Sequence, residues 1–181
     1  MAHDIHQWLE RLHRLNEKDD IRQSVEVPAS SCEVIATLDP DVTMPLSPML
    51  RARFAYAGAW DGAALGQTWL GLGQIAEVWA SVRECSWHIG HLARMTSELS
   101  EPIGPSRITL FGLDETKGGA TYLVWRAEAG EPAVLAFYGG GLDRFLNLGS
   151  YLAFLVGERV HDDSTELVPD TLGMIRSRGA L

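Results

Sequence analysis

Apolar positions along residues 4–18 recur with helical period: Ile5, Trp8, Leu9, Leu12 and Leu15 fall on one stripe, while Glu10, Arg11, Arg14 and Glu17 face the other way. A helix with one apolar stripe gains most of its stability from what it packs against, so this segment is expected to dock on a larger body. The polar run 17–22 ends it. Ser30 or Ser31 offers an N-cap to a short helix holding Val34, Ile35 and Leu38, closed by Asp39-Pro40 because proline pushes the preceding residue out of the helical region. Pro45 and Pro48 suit the first turn of another helix, with Leu50, Phe54 and Tyr56, ending at Gly58. Trp60-Asp61-Gly62 then turns the chain into the apolar strand TWLGL. From Gly73 the period is helical again, with Ile75, Val78, Trp79, Val82 and Cys85 on one face of a long helix reaching Glu98.

The second half alternates strands and turns. Residues 108–113 read as one strand, with Lys117-Gly118-Gly119 as the turn after it, and residues 121–126 as a second. A turn over 128–131 leads to a third strand at 133–138. Gly139-Gly140-Gly141 breaks the chain before Phe145-Leu146, a candidate fourth strand. Ser150 is the expected N-cap of a last helix whose apolar face is Tyr151, Leu152, Phe154 and Leu155. His161-Asp162-Asp163-Ser164 reads as a turn, followed by scattered apolar residues over 167–175.

This order resembles the SUKH superfamily, which comprises yeast cell-wall assembly regulators and bacterial immunity proteins. The stretch MPLSPMLRARFAYAGAWDGAALGQTWLGLGQIAEVWASVRE is similar to the family's proline-opened helix, aromatic-Asp-Gly loop, strand, and helix with a central Trp. The meander from Ile108 and the closing helix near Tyr151 extend the likeness to about residues 25–158. The resemblance implies one α+β domain over 1–181, with helices packed on a mostly antiparallel sheet of four or more strands and a closing C-terminal helix. Helix 4–18 precedes the family-like core and an extension over 161–181 follows it. The implied function is protein binding. In bacterial relatives the role is immunity, in which the protein occludes the active site of a cognate toxin. The alternative, after the yeast members, is a regulator or scaffold for endogenous partners; an enzyme ranks below both. The long helix over 73–98 and the C-terminal extension depart from many relatives.

Composition agrees with a binding module in solution. The chain has 181 residues, 46% hydrophobic and 22% charged, enough for one domain with a sizeable core. No apolar run approaches the roughly 18 residues that span a bilayer, and the N-terminus lacks a signal-peptide pattern, so a cytoplasmic location and no membrane partner are expected. Cys32 and Cys85 provide no disulfide framework. The formal net charge of −9 argues against nucleic acid, which needs Lys and Arg patches. It suits a basic protein partner such as a nuclease toxin, though simple solubility also explains it.

Candidate chemistry is sparse. Cys85, His88 and His91 are spaced three apart, but on a continuous helix they drift around the surface, with His91 nearly opposite Cys85, so surface histidines are preferred to a metal site. Gly71-Leu72-Gly73 and Gly139-Gly140-Gly141 lack the spacing and lysine of a phosphate loop. No serine sits in a nucleophile elbow. No catalytic residue, metal or cofactor is therefore expected. Trp69 and Trp79 belong to predicted buried faces. Trp60, in a loop, and Trp87, off the helix stripe, are candidate partner anchors, together with the carboxylates Asp114, Glu115, Asp143, Asp162 and Asp163.

Overall fold

The computed structural model describes residues 2–28, 33–99, 103–114, 118–126 and 130–158, with side chains undescribed at 2–4 and 98. In chain order the elements are α1 (Ala2–Lys18), β1 (Ser24–Val25), β2 (Val34–Ala36), β3 (Thr43–Pro45), α2 (Pro48–Tyr56), β4 (Trp60–Ala64), β5 (Gln67–Trp69), α3 (Ile75–Val82), α4 (Ser86–Glu98), β6 (Ile108–Asp114), β7 (Gly119–Val124), β8 (Ala133–Tyr138), β9 (Gly141–Phe145) and α5 (Leu148–Leu155). The fold is α+β. Seven strands form one antiparallel sheet in the order β1-β4-β5-β6-β7-β8-β9, and β2 pairs with β3 in a separate hairpin. None of the described helices is long and apolar enough to cross a membrane.

Strand alternation divides the helices between the two sheet faces. On β7, Tyr122 points toward α4, where its ring meets His88 and His91. Its neighbour Thr121 points the opposite way, to the hydroxyl of Tyr151 on α5 at 3.5 Å. The α5 face also receives Trp69, which packs on Tyr151 at 6.0 Å, and Phe145, at 4.9 Å from the same ring. Helices α1, α2 and α5 touch one another. The stripe read from the sequence accounts for α1, since Ile5, Leu9 and Leu12 are buried. Asn16, polar but buried, donates to the carbonyls of Gly62 (3.1 Å) and Ala63 (2.9 Å) and ties α1 to β4.

Four local expectations change. Residues 34–36 form a strand rather than a short helix: Ile35 faces Met44 across β2–β3, and Asp39-Pro40 lies in the connecting turn. A short apolar run fits either period, and two β-branched residues beside a paired strand favour the extended form. Trp60-Asp61-Gly62 lies within β4, and the hairpin turns instead at Leu65 (φ 56°) and Gly66 (φ 74°). Two successive positive φ angles match the twist of the flanking strands. The long helix over 73–98 breaks into α3 and α4, because Cys85 is extended at φ −67° and ψ 135°. Finally, Asn147 caps α5, its side chain accepting from the Ser150 N–H at 2.9 Å. The strand before it runs Gly141–Phe145, so Leu146 falls outside.

Arg53 of α2 sits beneath this layer with 0% exposure. Its Nη1 donates to the carbonyls of Ala57 (2.8 Å) and Gly58 (2.6 Å), and Nη2 donates to Trp69 O (3.4 Å). The guanidinium lies 4.4 Å from the ring centre of Phe54 and 5.3 Å from that of Phe111. Burial lowers its pKa to about 9, which leaves it charged at neutral pH. Carbonyl dipoles and aromatic faces replace the water that the cation gave up. Arg53→Ala is expected to lower the unfolding free energy by about 3–5 kcal/mol, since it leaves a cavity and buried carbonyls without donors. Arg53→Lys should recover only part, because an ammonium lacks the planar fork. Urea unfolding at pH 7 measures both, and a loss below about 1 kcal/mol for the alanine variant would contradict this role.

Candidate functional site

The break at Cys85 resets the phase of the following helix. With α4 starting at Ser86, His88 and His91 become neighbours on one face and both look onto the sheet. The Nδ1 atoms of His88 and His91 lie 2.6 and 3.3 Å from the Tyr122 hydroxyl. Phe137 of β8 stacks on His91 with ring centres 3.9 Å apart and a 16° interplanar angle. Trp79 of α3 meets His88 edge-on at 4.5 Å. His88 and Tyr122 have 0% exposure. These are interior groups, contrary to the surface histidines expected from a continuous helix. His91 points to the same side as His88, and Cys85 precedes the helix. Among the described residues no group of His, Cys, Asp and Glu is placed to hold a metal ion.

Burial lowers the pKa of His88 to about 4, and that of His91 to about 4 with further repulsion from His88 and Arg94. Burial raises the Tyr122 phenol above its ordinary value. All three are neutral at pH 7. The two bonds then require opposite roles: one Nδ1 accepts the phenol proton, and the other ring donates its N–H to the phenol oxygen. The buried Nε2 of His88 has no hydrogen-bond partner among the described residues. This arrangement clamps α4 onto β7. It offers no ionised acid or base at neutral pH.

Two of the residues singled out from the sequence lie at one end of the β6–β7 hairpin, on opposite faces of the sheet. Trp87, half-buried, packs over the β6–β7 turn, where a Cβ on Gly118 (φ 65°) would stand 3.2 Å from the Trp87 Cβ. Asp114 pairs with Gly119 at the end of the same hairpin and is partly exposed, but it shares the sheet face of Thr121, opposite α4, with its carboxylate near Gly66 of the β4–β5 turn. Ile89, two residues after Trp87, points to the outer side of α4 and is 56% exposed. At the far end of α4, Arg94 donates to Gly140 O (3.0 Å) in the β8–β9 turn. A groove of about 240 Å³ adjoins the clamp, lined by Leu38, Trp79, Leu92, Met95, Leu99 and Ile108 among others.

The remaining candidates lie elsewhere. Asp143 accepts from the Tyr138 hydroxyl on β8. It occupies the opposite sheet face from Tyr122, because it pairs with Ala136, next to Phe137 in β8. Trp60 is no exposed anchor. It has 0% exposure, its Nε1 donates to Gln23 Oε1 at 3.1 Å, and its ring packs on Trp69 at 5.7 Å. The alternation of β4 turns it under α1 and α2, where His13 and Tyr56 meet it. Glu115, Asp162 and Asp163 lie outside the described residues. Sequence reasoning missed the Tyr122 clamp. The three-residue histidine spacing between Trp79 and the sheet strands was its one local signal, and the partner lies 31 or more positions away.

Comparison with protein-family models, with curated proteins and with solved structures finds no match in any of the three.

The clamp makes stability depend on pH with a definite sign. Both folded-state values, about 4, lie below the ordinary 6.5, so between them the unfolded chain binds protons that the folded chain does not. This stability is therefore complete above pH 6.5 and is lost as pH falls toward 4. The urea midpoint is expected to drop across that window, with a shallower slope in a His88→Gln, His91→Gln variant whatever its absolute stability. Equal slopes would remove the histidines as the cause.

Proposed function

We propose that the protein is a binding module of the SUKH type, an immunity protein that neutralises a cognate bacterial toxin by occluding its active site. The observation that carries this reading is the corner at the end of the β6–β7 hairpin, where half-buried Trp87 lies on the α4 face and the carboxylate of Asp114 on the other, with Ile89 exposed on α4, on a chain with a net charge of −9. Apolar anchors bordered by acidic groups suit a partner with a basic, substrate-binding cleft, such as a nuclease domain. The apolar contacts supply affinity, and the carboxylates supply steering and register. The histidines and tyrosine with perturbed protonation support binding over catalysis, since buried His88 and Tyr122 and half-buried His91 are bonded to one another. Such a protein would act in the cytoplasm, on the toxin domain itself.

The test is capture of partners from the native host with this chain as bait, at moderate salt. A single large toxin polypeptide is the expected catch. Several endogenous cytoplasmic proteins would instead favour a regulator or scaffold. With the partner in hand, Asp114→Lys is expected to weaken affinity about tenfold and to reduce its salt dependence. Ile89→Asp should weaken it by roughly tenfold or more, with the fold checked by circular dichroism. Unchanged affinity in both variants would move the interface off this corner.

A further inference from the structure

At the opposite side of the sheet, β1 is the outermost strand. The extended run around it is short and bounded. At its start Asp20 has φ 54°, which leaves the extended region, and at its end the ring of Pro28 fixes φ at about −65°, outside the range typical of strands. Glu26 N–H donates to Ala59 O and Gly58 N–H donates to Glu26 O, both at 2.9 Å, and the Arg22 carbonyl oxygen faces Gly62 so closely that a Cβ there would collide with it. Even-numbered positions thus turn their backbone polar groups toward β4. By antiparallel alternation, those of Gln23 and Val25 turn outward from the sheet. The side chains along this edge are exposed at Arg22, Ser24 and Glu26, and at the apolar Ile21 (45%), Val25 (37%) and Val27 (88%).

We propose that residues 21–27 are a self-complementary edge through which two copies of this chain pair antiparallel about Ser24, joining their sheets across a two-fold axis. The occupant follows from the bounds and the charges. Asp20 and Pro28 are equidistant from Ser24, so pairing over the whole run has one register, with Ser24 opposite its own copy. That register sets Arg22 opposite Glu26 and Ile21 opposite Val27, each twice by symmetry. Neither Arg22 nor Glu26 has an ion-pair partner among the described residues. Side-chain alternation permits shifts only in steps of two, and each neighbouring register is worse. Centring on Gln23 places Asp20 against Glu26, and centring on Val25 places Arg22 against Pro28. An exposed edge ordinarily guards itself with charges that repel a second strand. Here the charges match it. The edge lies across the sheet from β8 and β9 and clear of the Trp87 corner, so the dimer leaves that corner open and the inference does not depend on the proposed function.

Sedimentation equilibrium over a concentration series is expected to give twice the 19.9 kDa chain mass. Val25→Pro removes an outward N–H while sparing the bonds to β4, and should yield a monomer. Glu26→Arg alone is expected to weaken the dimer about tenfold, as is Arg22→Glu, and the double exchange should restore it. The register is read by cross-linking in a background with Cys32→Ser and Cys85→Ser. Facing Cα atoms in a non-hydrogen-bonded pair stand about 4.5 Å apart, within disulfide reach, so Ser24→Cys should form a covalent dimer on mild oxidation. Val27→Cys should not, because it would lie about 20 Å from its own copy. A monomer at every concentration, a dimer indifferent to Val25→Pro and to both charge variants, or cross-linking of Val27→Cys as readily as Ser24→Cys would each overturn the proposal. If Val25→Pro does not fold, the cross-linking pair decides.

Discussion

The burial of Arg53 is the constraint on which one helical layer depends. A guanidinium held only by carbonyl oxygens and aromatic faces needs those groups in fixed places, and they come from three separate segments. Ala57 and Gly58 end α2, Trp69 ends β5, and Phe111 lies in β6. One side chain thereby fixes how α2 leaves the layer and how the first hairpin joins the central strands. The rings that shield the cation also build the core, since Trp69 contacts Phe111 at 5.1 Å, Trp60 at 5.7 Å and Tyr151 at 6.0 Å. An isolated buried charge is unfavourable, so this geometry persists only because backbone acceptors and packed rings offset its desolvation together.

The other face is organised differently. Helix α4 is held at intervals along its length, by packing of Trp87 on Gly118 and by hydrogen bonds of His88 and His91 to Tyr122 and of Arg94 to Gly140. The helix lies across the turns of two hairpins, and so its outer residues become part of the same surface as the hairpin tips. A rigid clamp beneath an exposed rim is a favourable base for binding, because little ordering remains to be done when a partner arrives. The two sides of the sheet also differ in what they leave open. The Trp87 corner has an apolar anchor on one sheet face and the Asp114 carboxylate on the other, whereas the β1 edge offers backbone groups and a balanced pair of charges.

Several features were legible in the chain itself. The α1 stripe and the β6 to β9 meander depend on periodicity over many residues, and packing reproduces them with small shifts of boundary. Proline at the start of α2 and the acceptor capping α5 are local chemistry, although the cap proved to be Asn147 and not Ser150. The extended run between Asp20 and Pro28 is not read from the sequence, and neither is its position on a sheet edge.

Tertiary structure decided what short or ambiguous segments would do and which distant side chains would meet. Residues 34–36 could serve either period, and pairing with β3 made them a strand. The helical pattern over 73–98 continued through Cys85, yet the folded chain is extended there, and His88 and His91 meet Tyr122 of β7. Trp60 was indistinguishable by sequence from a loop anchor, because only the register of β4 with β5 and the cover of α1 place it in the core. Trp87 reaches Gly118 only because α4 packs across the start of β7, whereas the pairing of Asp114 with Gly119 turns that carboxylate to the other sheet face. Periodicity fixes which side of an element is apolar, since that is a property of neighbours in the chain. Which surface it faces, and which polar atoms are stranded together inside, depends on contacts between residues far apart in sequence, and these only the folded chain defines.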